Sequence, residues 1–106
     1  MTDKRIMLTT VSSSEEAHTI ASELVSRHLA ACVNILGPLS SIYRWQGKVE
    51  NSEEFLLLIK STEAQFRPIQ NALAELHSYQ LPELISFTIE AGAESYLDWI
   101  EASVHK

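Results

Sequence analysis

The stretch Leu39-Ser-Ser-Ile-Tyr-Arg-Trp-Gln-Gly-Lys-Val-Glu50, continued by Asn51-Ser-Glu-Glu54 and Phe55-Leu-Leu-Leu-Ile-Lys60, decides the fold. Ile42 and Arg44 alternate with Tyr43 and Trp45, β-branched and aromatic types that favour a pleated strand. Gly47 supplies a turn, and Val49 and the apolar run 55–59 carry the chain back. The arms of this hairpin exceed the usual strand of about five or six residues. A ribbon of that length overhangs the small sheet that a chain of this size can build, and an overhanging strand edge attracts a partner.

Working outward, residues 4–11 read as a first strand. Ser12 to Ser14 offer helix caps, and Ser13 with Glu16 has capping-box spacing. Ala17, Ile20, Ala21, Leu24 and Val25 then follow on one helical face, so a helix is expected to run to about Ala30. Residues 32–36 form a second strand, broken at Gly37-Pro38 and resumed into the hairpin. Thr62 with Gln65 repeats the capping-box spacing ahead of an apolar stripe of Phe66, Ile69, Leu73 and Leu76. Pro68 marks a restart or kink after an irregular first turn, because it cannot donate to a helical ladder. This helix stops near His77, and Pro82 leads into a fourth strand over 83–90, where Ile85, Phe87 and Ile89 alternate with polar residues. After Gly92, Tyr96, Trp99 and Ile100 mark a short terminal helix that needs packing to stand.

The order is β-α-β-β-α-β with one extra C-terminal helix, an α+β, ferredoxin-like sandwich with a long hairpin between its second and third strands. Two helices cover one face of the antiparallel sheet. The run 55–59 is apolar on both sides, and one short helix cannot screen the other face, so self-association is the economical answer.

Composition narrows the partners. The 106 residues, 45% of them hydrophobic, build one core, so residues 1–106 are read as a single domain. No window has the apolar length of a membrane span, and the first residues lack the pattern of a signal peptide. Cys32 is the lone cysteine, which excludes a disulfide within the chain and points to a reducing cytoplasm. A formal net charge of −6 repels phosphate backbones, so nucleic acid is an unfavoured partner, whereas a cationic ligand is electrostatically permitted.

The motifs Ala31-Cys-Val-Asn34, Ser41-Ile-Tyr-Arg-Trp-Gln-Gly-Lys-Val-Glu50, Glu53-Glu54, Ile59-Lys-Ser-Thr62, His77-Ser-Tyr-Gln-Leu-Pro-Glu-Leu-Ile85 and Tyr96-Leu-Asp-Trp99 together resemble the CutA divalent-cation tolerance proteins. The resemblance spans nearly the whole chain in order and spacing. It implies a cytoplasmic homotrimer of ferredoxin-like subunits whose sheets face inward and pair through the long hairpins. It also implies a role in metal-ion tolerance, with copper the usual candidate. Members of that family commonly carry His-Pro-Tyr-Glu where this chain has His77-Ser78-Tyr79-Gln80. The departure predicts a less rigid loop and replaces one carboxylate with an amide.

The candidate residues each carry two readings. The resemblance puts Cys32 at a position associated with metal binding, and a thiolate is a soft ligand for copper(I). The alternative is a small hydrophobe at the start of a buried strand, which a lone cysteine favours. His77, the second metal candidate, sits at a helix C-terminus, where it can equally serve the helix dipole and the last carbonyls. His18 and His28 are ten residues apart, too far to share a helical face, and read as surface or boundary residues. His105 belongs to the tail. Tyr43, Trp45, Lys48, Glu50, Tyr79, Glu83 and Trp99 are candidates to line a cleft between subunits. The aromatics read more simply as interface anchors, and the charges as cleft groups or rim ion pairs. Glu53 and Glu54 read as a solvated strand entry.

Three functions compete on these residues. The favoured one is a non-enzymatic homotrimer in divalent metal-ion tolerance, with copper or another divalent cation bound at modest affinity. The second is a signalling trimer binding a small molecule in its inter-subunit clefts, as the similarly folded PII proteins do, a link carried by fold alone. No Gly-rich phosphate loop or basic cluster supports a nucleotide there. The third is an enzyme, and no Ser-His-Asp or Cys-His spacing supports one. The Cys-x-x-Cys of a heavy-metal chaperone and the basic aromatic strands of an RNA-recognition domain are also missing.

Overall fold

A computed structural model describes residues 2–104. The elements are β1 (Lys4–Val11), α1 (Ser14–Ser26), β2 (Cys32–Trp45), β3 (Lys48–Thr62), a 3-10 turn (Glu63–Gln65), α2 (Phe66–Leu76), β4 (Ile85–Thr88) and α3 (Glu94–Ser103). The strands form one antiparallel sheet in the order β2-β3-β1-β4, the ferredoxin-like arrangement expected from the sequence. His105 lies outside the described residues.

The hairpin arms span 14 and 15 residues and stretch the molecule to 44 Å along its longest axis. Gln46 and Gly47 both have positive φ, 50° and 80°, between the paired residues Trp45 and Lys48. A two-residue turn with both φ values positive matches the twist of its strands, and Gly47 takes that conformation without steric cost.

One face of the sheet meets α1 and α2. Met7, Thr9 and Val11 of β1 pair with Ile59, Leu57 and Phe55 of β3, and this set packs with Ile20, Leu24, Ile69 and Leu73 from the helices. Burying each of the large aliphatic side chains contributes about 1.5–3 kcal/mol. Thr9 is the misfit, since its buried Oγ1 finds no hydrogen-bond partner. The intervening residues face the other way: Ile6, Leu8 and Thr10 on β1, Leu56 and Leu58 on β3, and Ile85 and Phe87 on β4. α3 packs across β1 and β3 at one end of this second face, with Ile100 fully buried and Lys4 bridging to Glu101 at 2.8 Å. Beyond it Leu36, Ile85 and Phe87 remain exposed.

Four boundaries differ from expectation, each for a local reason. α1 ends at Ser26 rather than near Ala30, because His28 turns left-handed (φ 61°) and the N–H groups of His28 and Leu29 reach back to Val25 and Leu24 carbonyls. This is the Schellman closure, with histidine in the place glycine usually takes. β2 is not broken at Gly37-Pro38. It runs through as a bulge, with a cis peptide between the two residues and the pairing shifted by one between Leu36 and Leu39. β4 covers only four residues of the expected 83–90. The Thr10 carbonyl that a longer β4 would need accepts from His77 Nε2 at 2.8 Å, and at the far end Thr2 Oγ1 donates to the Ile89 carbonyl at 2.7 Å. Thr62 precedes the 3-10 turn without a side-chain cap, so the second capping-box spacing is not realised. The first is: Ser13 Oγ accepts from Glu16 N–H at 3.1 Å. Pro68 sits in the first turn of α2, after the 3-10 segment, where its missing N–H has no helical partner to lose.

Candidate functional site

The bulge at Gly37-Pro38 builds the site. Before it, Cys32, Asn34 and Leu36 pair with Lys60, Leu58 and Leu56 on the open face. After it, the shifted register gives that face to Leu39, Ser41, Tyr43 and Trp45, opposite Glu54, Ser52, Glu50 and Lys48. One extra residue therefore turns the two aromatics toward Glu54 and sends Ile42 and Arg44 to the other side. Gly37 is suited to the bend: its φ is +147°, and a Cβ there would come within 2.7 Å of the Phe55 ring.

The opposite wall is the loop after α2, held by a chain of polar contacts. His77 is fully buried; Nε2–H donates to the Thr10 carbonyl and Nδ1 accepts from Tyr79 N–H at 3.1 Å. Glu16 on α1 accepts from Ser78 N–H and Ser78 Oγ, at 2.8 and 3.0 Å, and from Ser12 Oγ at 3.1 Å. Burial pushes the Glu16 pKa up, but the bonds from Ser78 and Ser12 and the nearby His77 ring outweigh it, so the carboxyl ends below its ordinary value. The loop expected to be loose is thus pinned, and by an N–H that a proline at position 78 would lack. Tyr79 stacks at a tilt on His77, with ring centroids 4.8 Å apart, and donates its hydroxyl to Glu54 Oε2 at 2.6 Å. Burial, then the bond to Glu54, raises the Tyr79 pKa well above that of a free phenol, so the hydroxyl stays a donor.

Between hairpin and loop lies a cleft of about 640 Å³. Tyr43, Trp45, Tyr79 and Glu83 line it within a single chain, together with Glu54, Arg44, Thr10 and Gln80. Lys48 and Glu50 stand exposed beyond it at the hairpin tip, and Trp99 lies on α3 against Tyr96, ring centroids 5.4 Å apart. Glu54 corrects the sequence reading. It is only 6% exposed, not a solvated strand entry. No residue pattern announces this, because its burial depends on Tyr79, 25 residues away.

Cys32 and His77 are not brought together. Cys32 pairs with Lys60, level with Ile6 of β1, whereas His77 is bonded to Thr10, an offset of four residues or about 13 Å along the strand direction, with β3 lying between β2 and β1. Cys32 Sγ contacts Asn34 Oδ1 at 3.7 Å, and Lys60 Nζ donates to the same oxygen. One thiol beside an ammonium does not fit a closed metal centre, which needs several donors. Among the described residues, no group of three or more His, Cys, Asp or Glu could hold a metal ion, and no helix is long and apolar enough to cross a membrane.

A split βαβ sandwich with an overlong hairpin, an uncovered apolar sheet face and a cleft on that face's rim defines the class: a small α+β subunit on the ferredoxin plan. Over residues 5–103 the chain matches the family described as CutA1 divalent ion tolerance protein, and it belongs to that family. It is 46% identical over 97 residues to the divalent-cation tolerance protein CutA of Thermus thermophilus, covering 92% of this chain and 94% of that protein. A solved structure of the divalent cation tolerance protein from Thermus thermophilus superposes with a TM-score of 0.94 at 44% identity, covering 96% of this chain and 99% of that one. The chloroplastic protein CutA of Arabidopsis thaliana is 36% identical over 92% of this chain, which spans 54% of that longer protein.

Proposed function

We propose that this chain acts as a non-enzymatic homotrimer in tolerance of divalent metal ions, in the cytoplasm, with copper the first metal to test. The observation that carries the reading is the family match over residues 5–103. Assembly is supported by the exposed Leu36, Ile85 and Phe87, which continue the sheet's open face beyond α3. Metal binding in this reading is weak, because Cys32 offers a single soft donor and His77 would have to surrender both its ring hydrogen bonds to ligate. Sedimentation equilibrium at micromolar concentration should give one species of three chains. Competitive copper(I) titration should lose affinity in Cys32→Ser and keep it in His77→Ala. Equal affinity in all three proteins would remove metal binding at either residue from the reading.

A second reading has its own observation. The cleft of about 640 Å³ has room for a small molecule, and it lies at the border of the apolar face through which copies would associate. In that reading the trimer is a PII-like signalling module and the ligand, not the metal, carries the response. Soaking crystals with a small-metabolite mixture separates the two: density in the cleft favours the second reading, density at Cys32 the first.

A further inference from the structure

Glu54 is a mostly buried carboxylate without a counter-ion among the described residues, and its remaining access is to the cleft it lines. Its exposure is 6%, and Tyr79 Oη occupies Oε2. Among the described residues Oε1 has no hydrogen-bond donor, and no lysine, arginine or histidine forms an ion pair with Glu54. A carboxylate with so little exposure gains from a cation placed against it. The space in front of it is the cleft, which the rings of Tyr79, Tyr43 and Trp45 also line, with a second carboxylate, Glu83, bonded only weakly to Thr10 Oγ1 at 3.4 Å. Aromatic faces carry negative potential and attract ammonium groups, so rings and carboxylates favour the same sign of charge.

We infer that this cleft binds a small organic ammonium compound, its N–H donating to Glu54 Oε1 and its apolar body lying against Tyr79 and Tyr43. The inference rests on the second reading above and supplies its ligand class. A divalent metal suits the site less well, because Tyr79 presents a hydroxyl hydrogen to the carboxylate rather than a lone pair to an ion, and the remaining lining is aromatic. A phosphorylated ligand would face two carboxylates, while the Arg44 side chain leaves the sheet on its other face. A quaternary ammonium would satisfy the rings but leave Oε1 without a donor, so a primary or secondary amine is the better fit.

The test uses three probes of one shape: 2-phenylethylamine, 2-phenylethanol and phenylacetate, titrated into the full chain and followed by calorimetry and tryptophan fluorescence. The amine should bind one per chain and about tenfold or more tighter than either neutral or anionic probe. Glu54→Gln, which keeps an acceptor for Tyr79, should abolish the preference and raise the melting temperature of the ligand-free protein, since it removes an unpaired charge. Glu15→Gln, an exposed carboxylate on α1 outside the cleft, should keep the preference, which guards against an effect of net charge alone. Alcohol or acid binding as tightly as the amine would overturn the ammonium assignment while leaving a small-molecule cleft standing. Failure of all three probes in the wild type would remove the cleft reading itself. A fall in melting temperature in both Glu54→Gln and Lys48→Gln would overturn the small-molecule assignment differently, by showing that a lysine from a second copy already neutralises Glu54.

Discussion

The Glu16 carboxylate accepts hydrogen bonds from both the backbone N–H and the hydroxyl of Ser78, 62 residues away, and so ties the start of α1 to the loop that walls the cleft. A proline stiffens such a loop through its ring, whereas this chain fixes it from outside, through a carboxylate on another element.

Glu16→Ala should therefore destabilise the protein by about 1–3 kcal/mol, the usual worth of hydrogen bonds to a charged group. Urea unfolding gives the magnitude. Backbone amide exchange at Ser78 and Tyr79 should accelerate in the variant, and unchanged exchange would show the loop to be held by other contacts.

The same pair has a pH signature. The Glu16 pKa is lower in the folded chain than its ordinary value of 4.5, so the unfolded state binds more protons below that value. The stabilisation is complete above the unfolded pKa and is lost as pH falls through the folded one. The wild type should lead Glu16→Gln in melting temperature near neutrality, and the gap should close between about pH 5 and about pH 3. A gap independent of pH would mean that the carboxyl contributes by shape alone.

Gly37→Ala strikes the bend in β2. The new Cβ meets Phe55 at 2.7 Å and the Glu54 carbonyl at 3.0 Å, in a backbone region that alanine rarely adopts. A loss of about 2–4 kcal/mol is expected from strain and overpacking together. Trp45 fluorescence should shift in the folded variant, because the hairpin beyond the bend changes its seat.

Leu57 and Leu58 are neighbours on opposite faces of β3. Leu57 is fully buried against the helices, and Leu58 lies on the open face beside Leu8 and Asn34. Leu57→Asp should unfold the chain, at a cost of about 4 kcal/mol or more. Leu58→Asp should leave a folded chain with native circular dichroism and dissociate the proposed trimer, which sedimentation reads directly. A trimeric Leu58→Asp protein would place the interface elsewhere.

Thr9→Val replaces a buried hydroxyl that has no partner with a methyl group of nearly the same shape. It should be neutral or stabilise by about 1 kcal/mol. A clear loss of stability would reveal a bond made by Oγ1 in solution.

The strand and helix order was readable because alternation and helical spacing are local properties, carried by residues such as Ile42 to Trp45 and Ile20 to Leu24. The ends of elements were less so. His28 closes α1 in a conformation usually given to glycine, and β4 is cut short by a histidine side chain at Thr10, neither of which leaves a periodic trace. Tyr43, Trp45, Tyr79 and Glu83 stood out by residue type, and the structure gathers them in one cleft. Glu54 did not stand out, because Asn51, Ser52 and Glu53 before it are polar, and which face it takes depends on how β2 and β3 are registered.

That registration has a wider consequence. If β2 kept both Gly37 and Pro38 but paired with β3 residue for residue, with neither bulged out, every pair from Cys32–Lys60 to Leu36–Leu56 would stay in place and the two sides of the outer arm would be exchanged. Ile42 and Arg44 would then take the face that Glu54 occupies, an aliphatic and a cation in place of two rings. The outer arm thus encodes two alternative surfaces in one string of residues. The bulge at the kink, rather than the identity of any side chain beyond it, selects which surface shares the face of the Glu54 carboxylate.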